Sequence, residues 1–505
     1  MSSALEAHEE AVMANVLPML MAKDLGVLMC ASCSLCDGSV AKHVKTKLSH
    51  EEFPGTPLSD ELFALHVRET SPAWARLSLS EEHGLVVDEG FRARSWGGRS
   101  WLRGFVMRIG ESCLSQREKL GHGDRADVVV PRTISALASE RVLCVSAGPS
   151  HSLVVTASGS LFSFGLCHRG GGNLGHPAGS SPDWMCSVPR RVEALRGERV
   201  ARAFAGVTHS AALGHDGRLW TWGTNTYGKL GLGLTPELIN NAASNAQVLV
   251  PTLAALKKKE DKIEDVEVAG GSTMAITTNG KLLAAGKFAV DGPETATFVR
   301  AFPELDGLSM VQVCSTARMQ YSYHPRHAHG HTLAVDSDGR LYSWGNGDMG
   351  ALGHGGLEDE PRPRQVAALA GTKIVQAAVA RHVSFALTDE GKVWSWGTGA
   401  LGHGELETAE TIPRQHNYFI RGGFQQSLLP AEIPSLRGVS VTCVACGGEG
   451  CGSWGDDYVM GTSAGALLDS RGALWRWGRG DAAGSPINRW TNPAAVTALY
   501  PARVN

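Results

Sequence analysis

The sequence predicts an all-β fold, a seven-bladed β-propeller with a small N-terminal α-helical domain, because three registers stay aligned along most of the chain. An aromatic-glycine dipeptide, degenerate once, recurs at Trp96-Gly97, Phe164-Gly165, Trp222-Gly223, Ala285-Gly286, Trp344-Gly345, Trp396-Gly397 and Trp477-Gly478. A glycine stands five residues before six of these anchors, at Gly159, Gly217, Gly280, Gly339, Gly391 and Gly472. A histidine stands thirteen residues before four of them, at His83, His151, His209 and His331. Internal repetition of this kind sets the architecture before any single residue suggests an activity. The division expected is helical for residues 1–73 and propeller for residues 74–505.

The N-terminal stretch differs in kind from the rest. In His8–Leu20 the apolar positions Val12, Met13, Val16, Leu17 and Leu20 follow the spacing of an amphipathic helix. Asp24 can cap a second helix that begins at Leu25.

From Trp96 onward the anchors are separated by 68, 58, 63, 59, 52 and 81 residues. That period is long for a helical pair and suits a unit of four short strands with loops. In the third unit Ala203–Leu213 is small and apolar, His215-Asp216-Gly217 signals a turn, and Leu219-Trp220-Thr221-Trp222 alternates as a strand. The turn glycine supplies a positive φ without steric cost. The tryptophan is placed to fill the wedge between neighbouring units, and the glycine after it allows close backbone approach. A Leu-Gly pair follows in five units, at Leu120-Gly121, Leu174-Gly175, Leu230-Gly231, Leu352-Gly353 and Leu401-Gly402. Sheets that cannot bury their faces alone stack, and seven of them close a ring.

Composition agrees. At 505 residues and 43% hydrophobic content the chain can bury one large core and a small extra domain. Its 61 glycines exceed the usual share of about 7%, as turn-rich β architecture requires. Eleven scattered cysteines suit a reducing compartment, cytoplasmic or nuclear, better than a disulfide scaffold. No apolar run is long enough to span a membrane, and the N-terminus shows no secretory signal.

Gly206–Leu213, then His-Asp-Gly-Arg-Leu-Trp-Thr-Trp-Gly, then Gly228–Gly233 together resemble the regulator of chromosome condensation repeat, and the run from His331 to Gly345 resembles it again. The resemblance covers roughly Trp74 to the C-terminus. Two units depart from it. The fourth has Ser272 for the histidine and Ala285 for the tryptophan, and the seventh has Ala464 for the histidine and no Leu-Gly. Looser packing is expected there. The best-known function in this repeat family is nucleotide exchange on the small GTPase Ran at chromatin, which implies a basic arm. The net charge of −3 gives no sign of one. The dense basic run Lys257-Lys258-Lys259 is followed at once by Glu260, Asp261, Glu264 and Asp265, which reads as a solvated loop. Nucleic acid is therefore not an expected partner.

Val16–Ser32 is similar to the central and later part of an F-box, and Glu69–Leu77 resembles the phrase that ends one. The usual Leu-Pro opening would fall on His8-Glu9, where it is absent. The resemblance implies helices that dock on a Skp-type adaptor of a cullin ubiquitin ligase, with Val16, Leu17, Leu20, Leu25 and Leu28 facing that partner. The alternative is a helical cap packed on the ring.

Other constellations point away from catalysis. Cys30, Cys33 and Cys36 have metal-ligand spacing but fall inside the second expected helix and lack a fourth ligand. Cys443, Cys446 and Cys451 sit among glycines, read as a loop before the last unit. Neither set is taken as a metal site, and no cofactor is expected. The histidines recur at one structural position, so they are expected to hydrogen-bond blade backbone. No phosphate-binding loop, nucleophile elbow or zinc-protease helix occurs. A plant UV-B photoreceptor of this fold uses Gly-Trp-Arg-His-Thr motifs. The corresponding positions here read Gly206-Val207-Thr208-His209-Ser210 and Ala328-His329-Gly330-His331-Thr332, so light sensing is not expected.

What remains is binding through loops on a rigid ring. The excess length lies in His416–Trp454, with Tyr418, Phe419, Phe424 and Leu428-Leu429, and in Pro236–Asp265. The aromatic set is the better interface candidate. The expected function is a non-enzymatic substrate-recruiting adaptor of a cullin-type ubiquitin ligase. Alternatives are a guanine nucleotide exchange factor for a Ran-like small GTPase, or a structural scaffold.

Overall fold

The computed structural model describes residues 73–478, apart from 81–82, 98–115, 125, 127, 168–171, 178–184, 234–246, 257–260, 289–294, 317–329, 381, 404–424 and 448–463, together with Ala502 and Arg503. The chain divides into two units, Met1–Pro72 and Ala73–Asn505, of which the second carries the described elements. The N-terminal helices expected over residues 8–49, with Val16, Leu17, Leu20, Leu25, Leu28 and the cysteines Cys30, Cys33 and Cys36, lie outside the described residues. Among the described residues no helix is long and apolar enough to cross a membrane.

Seven four-stranded antiparallel sheets form the second unit, each from one uninterrupted stretch of chain. Blade one runs from β1 (Leu77–Leu79) to β4 (Val128–Thr133), and blade two from β5 (Val142–Ala147) to β8 (Met185–Arg191). Blade three runs from β9 (Val200–Ala205) to β12 (Gln247–Leu253), and blade four from β13 (Ile263–Val268) to β16 (Thr295–Arg300). Blade five runs from β17 (Met310–Ser315) to β20 (Glu360–Gln365), and blade six from β21 (Ile374–Ala380) to β24 (Gln425–Glu432). Blade seven runs from β25 (Val441–Gly447) to β28 (Ala502–Arg503).

The first strand of each blade is innermost and touches the first strand of the next, and β1 meets β25 to complete the circle. Closure therefore relies on face packing: Leu77, Leu79 and Trp96 of blade one share a core with Cys443, Ala466 and Leu468 of blade seven. The anchors Trp96, Trp222, Trp344, Trp396 and Trp477 are all fully buried. Apolar burial of this kind stabilises by about 25 cal/mol per Å2.

The second and third strands follow the expected hairpin. In blade three β10 (His209–Gly214) pairs with β11 (Leu219–Thr224), with Ser210 opposite Trp222. Gly217 at the turn has φ +81°, as its position in the sequence implied.

The outer strands share a bulge. Ser95 pairs with Arg132 but Gly97 pairs with Val128, so the outer strand carries two extra residues opposite the anchor. The same shift recurs in blades two to six. Inside it stands a proline at Pro131, Pro189, Pro251, Pro363 and Pro430 in blades one, two, three, five and six. Proline has no N–H to offer, so the bulge blunts each exposed sheet edge against further pairing. In blade four that position is Phe298, which is buried.

Phe298 explains how blade four tolerates Ala285. Its ring lies against Ala285 in the core between blades three and four, filling the wedge an indole fills elsewhere. At the junction of blades three and four the wedge is therefore filled, by an aromatic ring that arrives from the outer strand instead of the third.

Three further expectations are corrected. The long spans His416–Trp454 and Pro236–Asp265 include blade strands, namely β24 and β25 in the first and β12 and the start of β13 in the second. Leu428 and Leu429 belong to the outer strand of blade six, whereas Tyr418, Phe419 and Phe424 lie outside the described residues. Cys443 and Cys446 are buried positions of inner strand β25 instead of loop residues, and their neighbouring glycines disguised that strand. Cys451 and the run Lys257-Lys258-Lys259 lie outside the described residues. Asp265, read as part of a solvated segment, is buried in β13.

Candidate functional site

The repeat histidines are placed by the start of each second strand, where the chain turns back from the inner strand. Each reaches into the next blade. His83 Nε2 lies 2.7 Å from Ser152 Oγ, His151 Nε2 2.7 Å from Ser210 Oγ, His209 Nε2 2.9 Å from Thr273 Oγ1, and His331 Nε2 2.8 Å from Ser384 Oγ. Each hydroxyl then donates back to the histidine's own blade, at the carbonyl of the residue preceding Leu-Gly or its equivalent. These bonds are Ser152 to Lys119 at 2.8 Å, Ser210 to Asn173 at 2.8 Å, Thr273 to Lys229 at 2.7 Å and Ser384 to Ala351 at 2.8 Å.

The direction of the relay follows from the donors. Asn173 Nδ2 donates to His151 Nδ1 at 3.0 Å, so that nitrogen is an acceptor. Since Ser210 spends its proton on the Asn173 carbonyl, His151 Nε2 must carry the hydrogen it gives to Ser210. The histidine is neutral. Burial pushes the His151 and His331 rings down to about 3. Burial likewise holds His83 and His209 well below the usual imidazole range, helped by the nearby charges of Lys119 and Lys229 respectively. The histidines therefore bond a neighbour's hydroxyl, where blade backbone was expected.

The indoles use carbonyls at the same position, before Leu-Gly. Trp222 Nε1 donates to Asn173 at 2.9 Å, Trp396 Nε1 to Ala351 at 2.8 Å and Trp477 Nε1 to Ala400 at 2.9 Å. Each Leu-Gly glycine makes room for the arriving ring. At Gly353, where φ is +75°, an added Cβ would stand 2.8 Å from Trp396 Nε1.

Three junctions lack the histidine relay. Between blades six and seven the histidine position is Val383 and the hydroxyl position Gly465, and between seven and one they are Ala464 and Gly84. The two partners have gone together. At Gly84 and Gly465 the same blade's indole, Trp96 or Trp477, lies across the space a side chain would need. Between blades four and five Ser272 replaces the histidine while the hydroxyl, Thr332, remains and turns to Ser315 Oγ at 3.0 Å. Blade four has no Leu-Gly pair, and among the described residues Trp344 Nε1 has no hydrogen-bond partner. Among the described residues that seam lacks both fastenings.

A second row of staples lies along the inner strands. Gln312 donates to the Ala377 carbonyl at 3.0 Å and accepts the Ala377 N–H at 2.7 Å. Gln376 does the same with Val444, at 2.6 and 3.0 Å. In blades three and four the equivalent positions are Arg202 and Asp265, a buried ion pair at 2.8 Å. Burial raises the Asp265 carboxyl to about 6 even against the Arg202 charge, which is the cost of removing both ions from water.

One ring of residues faces the axis at a single register, two positions beyond those staples. It consists of Ser78, Ser146, Phe204, Glu267, Cys314, Ala378 and Ala445, all of which line an axial cavity of about 240 Å3. Ser78 accepts the N–H of Ala147 and Ser146 that of Ala205, both at 2.9 Å, and Glu267 Oε1 accepts that of Ser315 at 3.2 Å. Burial in the channel raises the Glu267 carboxyl to about 8, opposed by the Ser315 N–H and reinforced by the Asp265 charge. Burial also raises the Cys443 thiol to about 12 and lifts the Cys314 and Cys446 thiols above their ordinary range. No signal in the sequence singles out Glu267, because the axial ring is defined only by register between non-adjacent strands.

Comparison with known proteins adds family and fold. The family described as an RCC1-like domain matches residues 109–482. The human E3 ubiquitin-protein ligase HERC2 is 30% identical over 365 residues, 70% of this chain and 6% of that protein. The ultraviolet-B receptor UVR8 of Arabidopsis thaliana is 29% identical over 306 residues, covering 59% of this chain and 61% of the receptor. Among solved structures, yeast RCC1 (Prp20), bound to Kap60, superposes with a TM-score of 0.56 at 18% identity, over 77% of this chain and 81% of that one. Human WBSCR16 gives 0.54 at 20% identity, over 75% and 84%. The two structures show likeness of fold. The chain spans less than two thirds of the length of HERC2 and of UVR8.

Proposed function

This chain belongs to the RCC1-like domain family, and on that premise we propose that it is a non-enzymatic protein-interaction scaffold, the substrate-recruiting adaptor of a cullin-type ubiquitin ligase. The observation that carries the scaffold reading is the fate of the repeated polar residues. The relay histidines are neutral, buried and bonded to neighbouring blades, so they hold the ring together and leave recognition to its loops. The similarity to HERC2, named as a ubiquitin ligase, supports the ligase context. In this reading Val16, Leu17, Leu20, Leu25 and Leu28 meet a Skp-type adaptor, and Tyr418, Phe419 and Phe424 contribute to holding the client, in the cytoplasm or nucleus.

The test is recovery of bound partners from cells that express the full chain. A Skp-type adaptor should co-purify and should be lost from the Leu17→Asp, Leu20→Asp double variant. Equal recovery with the variant overturns the docking role of those residues.

A second reading, nucleotide exchange on a Ran-like small GTPase, is supported by likeness of fold to yeast Prp20, whose solved structure is described together with binding to Gsp1p and histones. The net charge of −3 gives no sign of the basic arm that phosphate contacts with chromatin DNA would want. Acceleration of nucleotide release from Ran by catalytic amounts of the protein would replace the adaptor reading with this one.

A further inference from the structure

The axial ring is uneven. Five of its seven positions carry the small residues serine, alanine or cysteine, while adjacent blades three and four contribute Phe204 and Glu267. An aromatic face thus neighbours a carboxylate inside a cavity of about 240 Å3. Glu267 takes part in no ion pair among the described residues, and its polar contact is the Ser315 N–H on Oε1. The Arg202 guanidinium, 5.6 Å from the Phe204 ring centre, is already paired with Asp265 and sums with it to no net charge. The Cys314 and Cys446 thiols facing the same space stay protonated. Ser78 and Ser146 each accept one backbone N–H, which leaves a second lone pair on each hydroxyl oxygen.

We propose that this axial cavity binds a primary alkylammonium group, seated between the Glu267 carboxylate and the Phe204 ring. A carboxylate supplies the counter-charge, an aromatic face attracts the cation, and the serine oxygens accept the remaining N–H bonds. Without an occupant Glu267 keeps its proton up to about pH 8, because burial disfavours its charge and Asp265 adds to the penalty. Arrival of a cation reverses this, so binding expels that proton. Affinity should therefore fall as pH drops below 8, by about 100-fold between pH 9 and pH 6. This inference is independent of the ligase reading.

The experiment is calorimetric titration of the full chain with n-butylammonium, with n-butanol as the uncharged probe of equal length. Saturable binding of the amine at pH 9, weakening about 100-fold at pH 6 and accompanied by proton release near neutral pH, is the expected result. Glu267→Gln, which matches the protonated side chain in shape, should abolish it, and Phe204→Leu should weaken it several-fold. The thermal melting of each variant shows that the ring is intact. Nα-acetyl-lysinamide as a further probe separates the sources: binding extends the site to lysine side chains, and failure restricts it to small free amines. Butanol binding as tightly as butylammonium, undiminished binding by folded Glu267→Gln, or no saturable binding of either amine at pH 9 overturns the proposal.

Discussion

His151 and Ser210 stand 59 positions apart in the sequence and 2.7 Å apart in the ring. Asn173 closes the circuit, giving a side-chain N–H to His151 and taking the Ser210 proton on its carbonyl. Buried networks of this type are worth more together than the sum of single deletions. His151→Ala and Ser210→Ala should each cost about 2–3 kcal/mol, since each leaves buried polar atoms unsatisfied. The double variant should cost less than their sum by about 1 kcal/mol or more. Strict additivity in urea unfolding would show that the two residues act separately.

Acid should loosen the ring. The four relay histidines are neutral when folded and take up protons once unfolded, at an ordinary value of about 6.5. Their contribution is complete above that pH and declines below it, by about 1.4 kcal/mol per unit for each histidine, for His151 and His331 down to about pH 3. Glu267 works in the opposite sense. Its folded value of about 8 lies above the unfolded one, so its contribution is full below about 4.5 and is lost as pH rises to 8. Glu267→Gln should therefore be indistinguishable from wild type near pH 4.5 and more stable than wild type at pH 8. A constant difference across that range, read from unfolding midpoints, would contradict the assignment.

Blade four offers a rescue experiment. Phe298→Ala should cost about 3–5 kcal/mol by emptying the wedge beside Ala285. Ala285→Trp alone should also destabilise, because the Phe298 ring already occupies that space. Combining Ala285→Trp with Phe298→Pro would install the pattern of the other blades and recover much of the loss. A double variant less stable than either single one would refute the exchange.

The indoles should separate by junction. Trp396→Phe removes a donor to the Ala351 carbonyl and should cost about 1–3 kcal/mol beyond the change in ring size. Trp344→Phe removes a donor without an acceptor, so it should cost only the packing difference. Hydrogen exchange should find the seam between blades four and five opening before the seam between five and six. Equal protection at both seams would argue that the relay contributes nothing there.

Glycine substitutions give a control within one molecule. Gly353 and Gly371 have φ of +75° and +83°, but a Cβ at Gly353 would press on Trp396 Nε1 whereas one at Gly371 meets nothing within 4 Å. Gly371→Ala should cost only the left-handed backbone term, about 1–2 kcal/mol. Gly353→Ala should cost clearly more, as judged by thermal unfolding.

The ring itself was legible in the sequence because its markers are local. Trp-Gly, the turn glycine and Leu-Gly each sit within one blade, and their spacing survives insertions elsewhere. The relay was half legible. His151-Ser152 and His209-Ser210 repeat as dipeptides, but the hydroxyl serves the preceding blade's histidine, and adjacency in the chain hides that pairing. Phe298 was invisible for a related reason: its role appears only once the bulge places it in the slot that proline fills in five other blades. Glu267 belongs to a ring made by seven strands none of which neighbours another in sequence, so no motif could announce it.

The uninterrupted make-up of each blade bears on how the protein is made. A chain leaving the ribosome can zip the sheet from Leu77 to Thr133 before the strands of the next have been synthesised, and so on round the circle. The meeting of β1 with β25 is the exception. Until it forms, the growing arc displays one raw flank at each end, and those two flanks are the surfaces a chaperone would have to shelter.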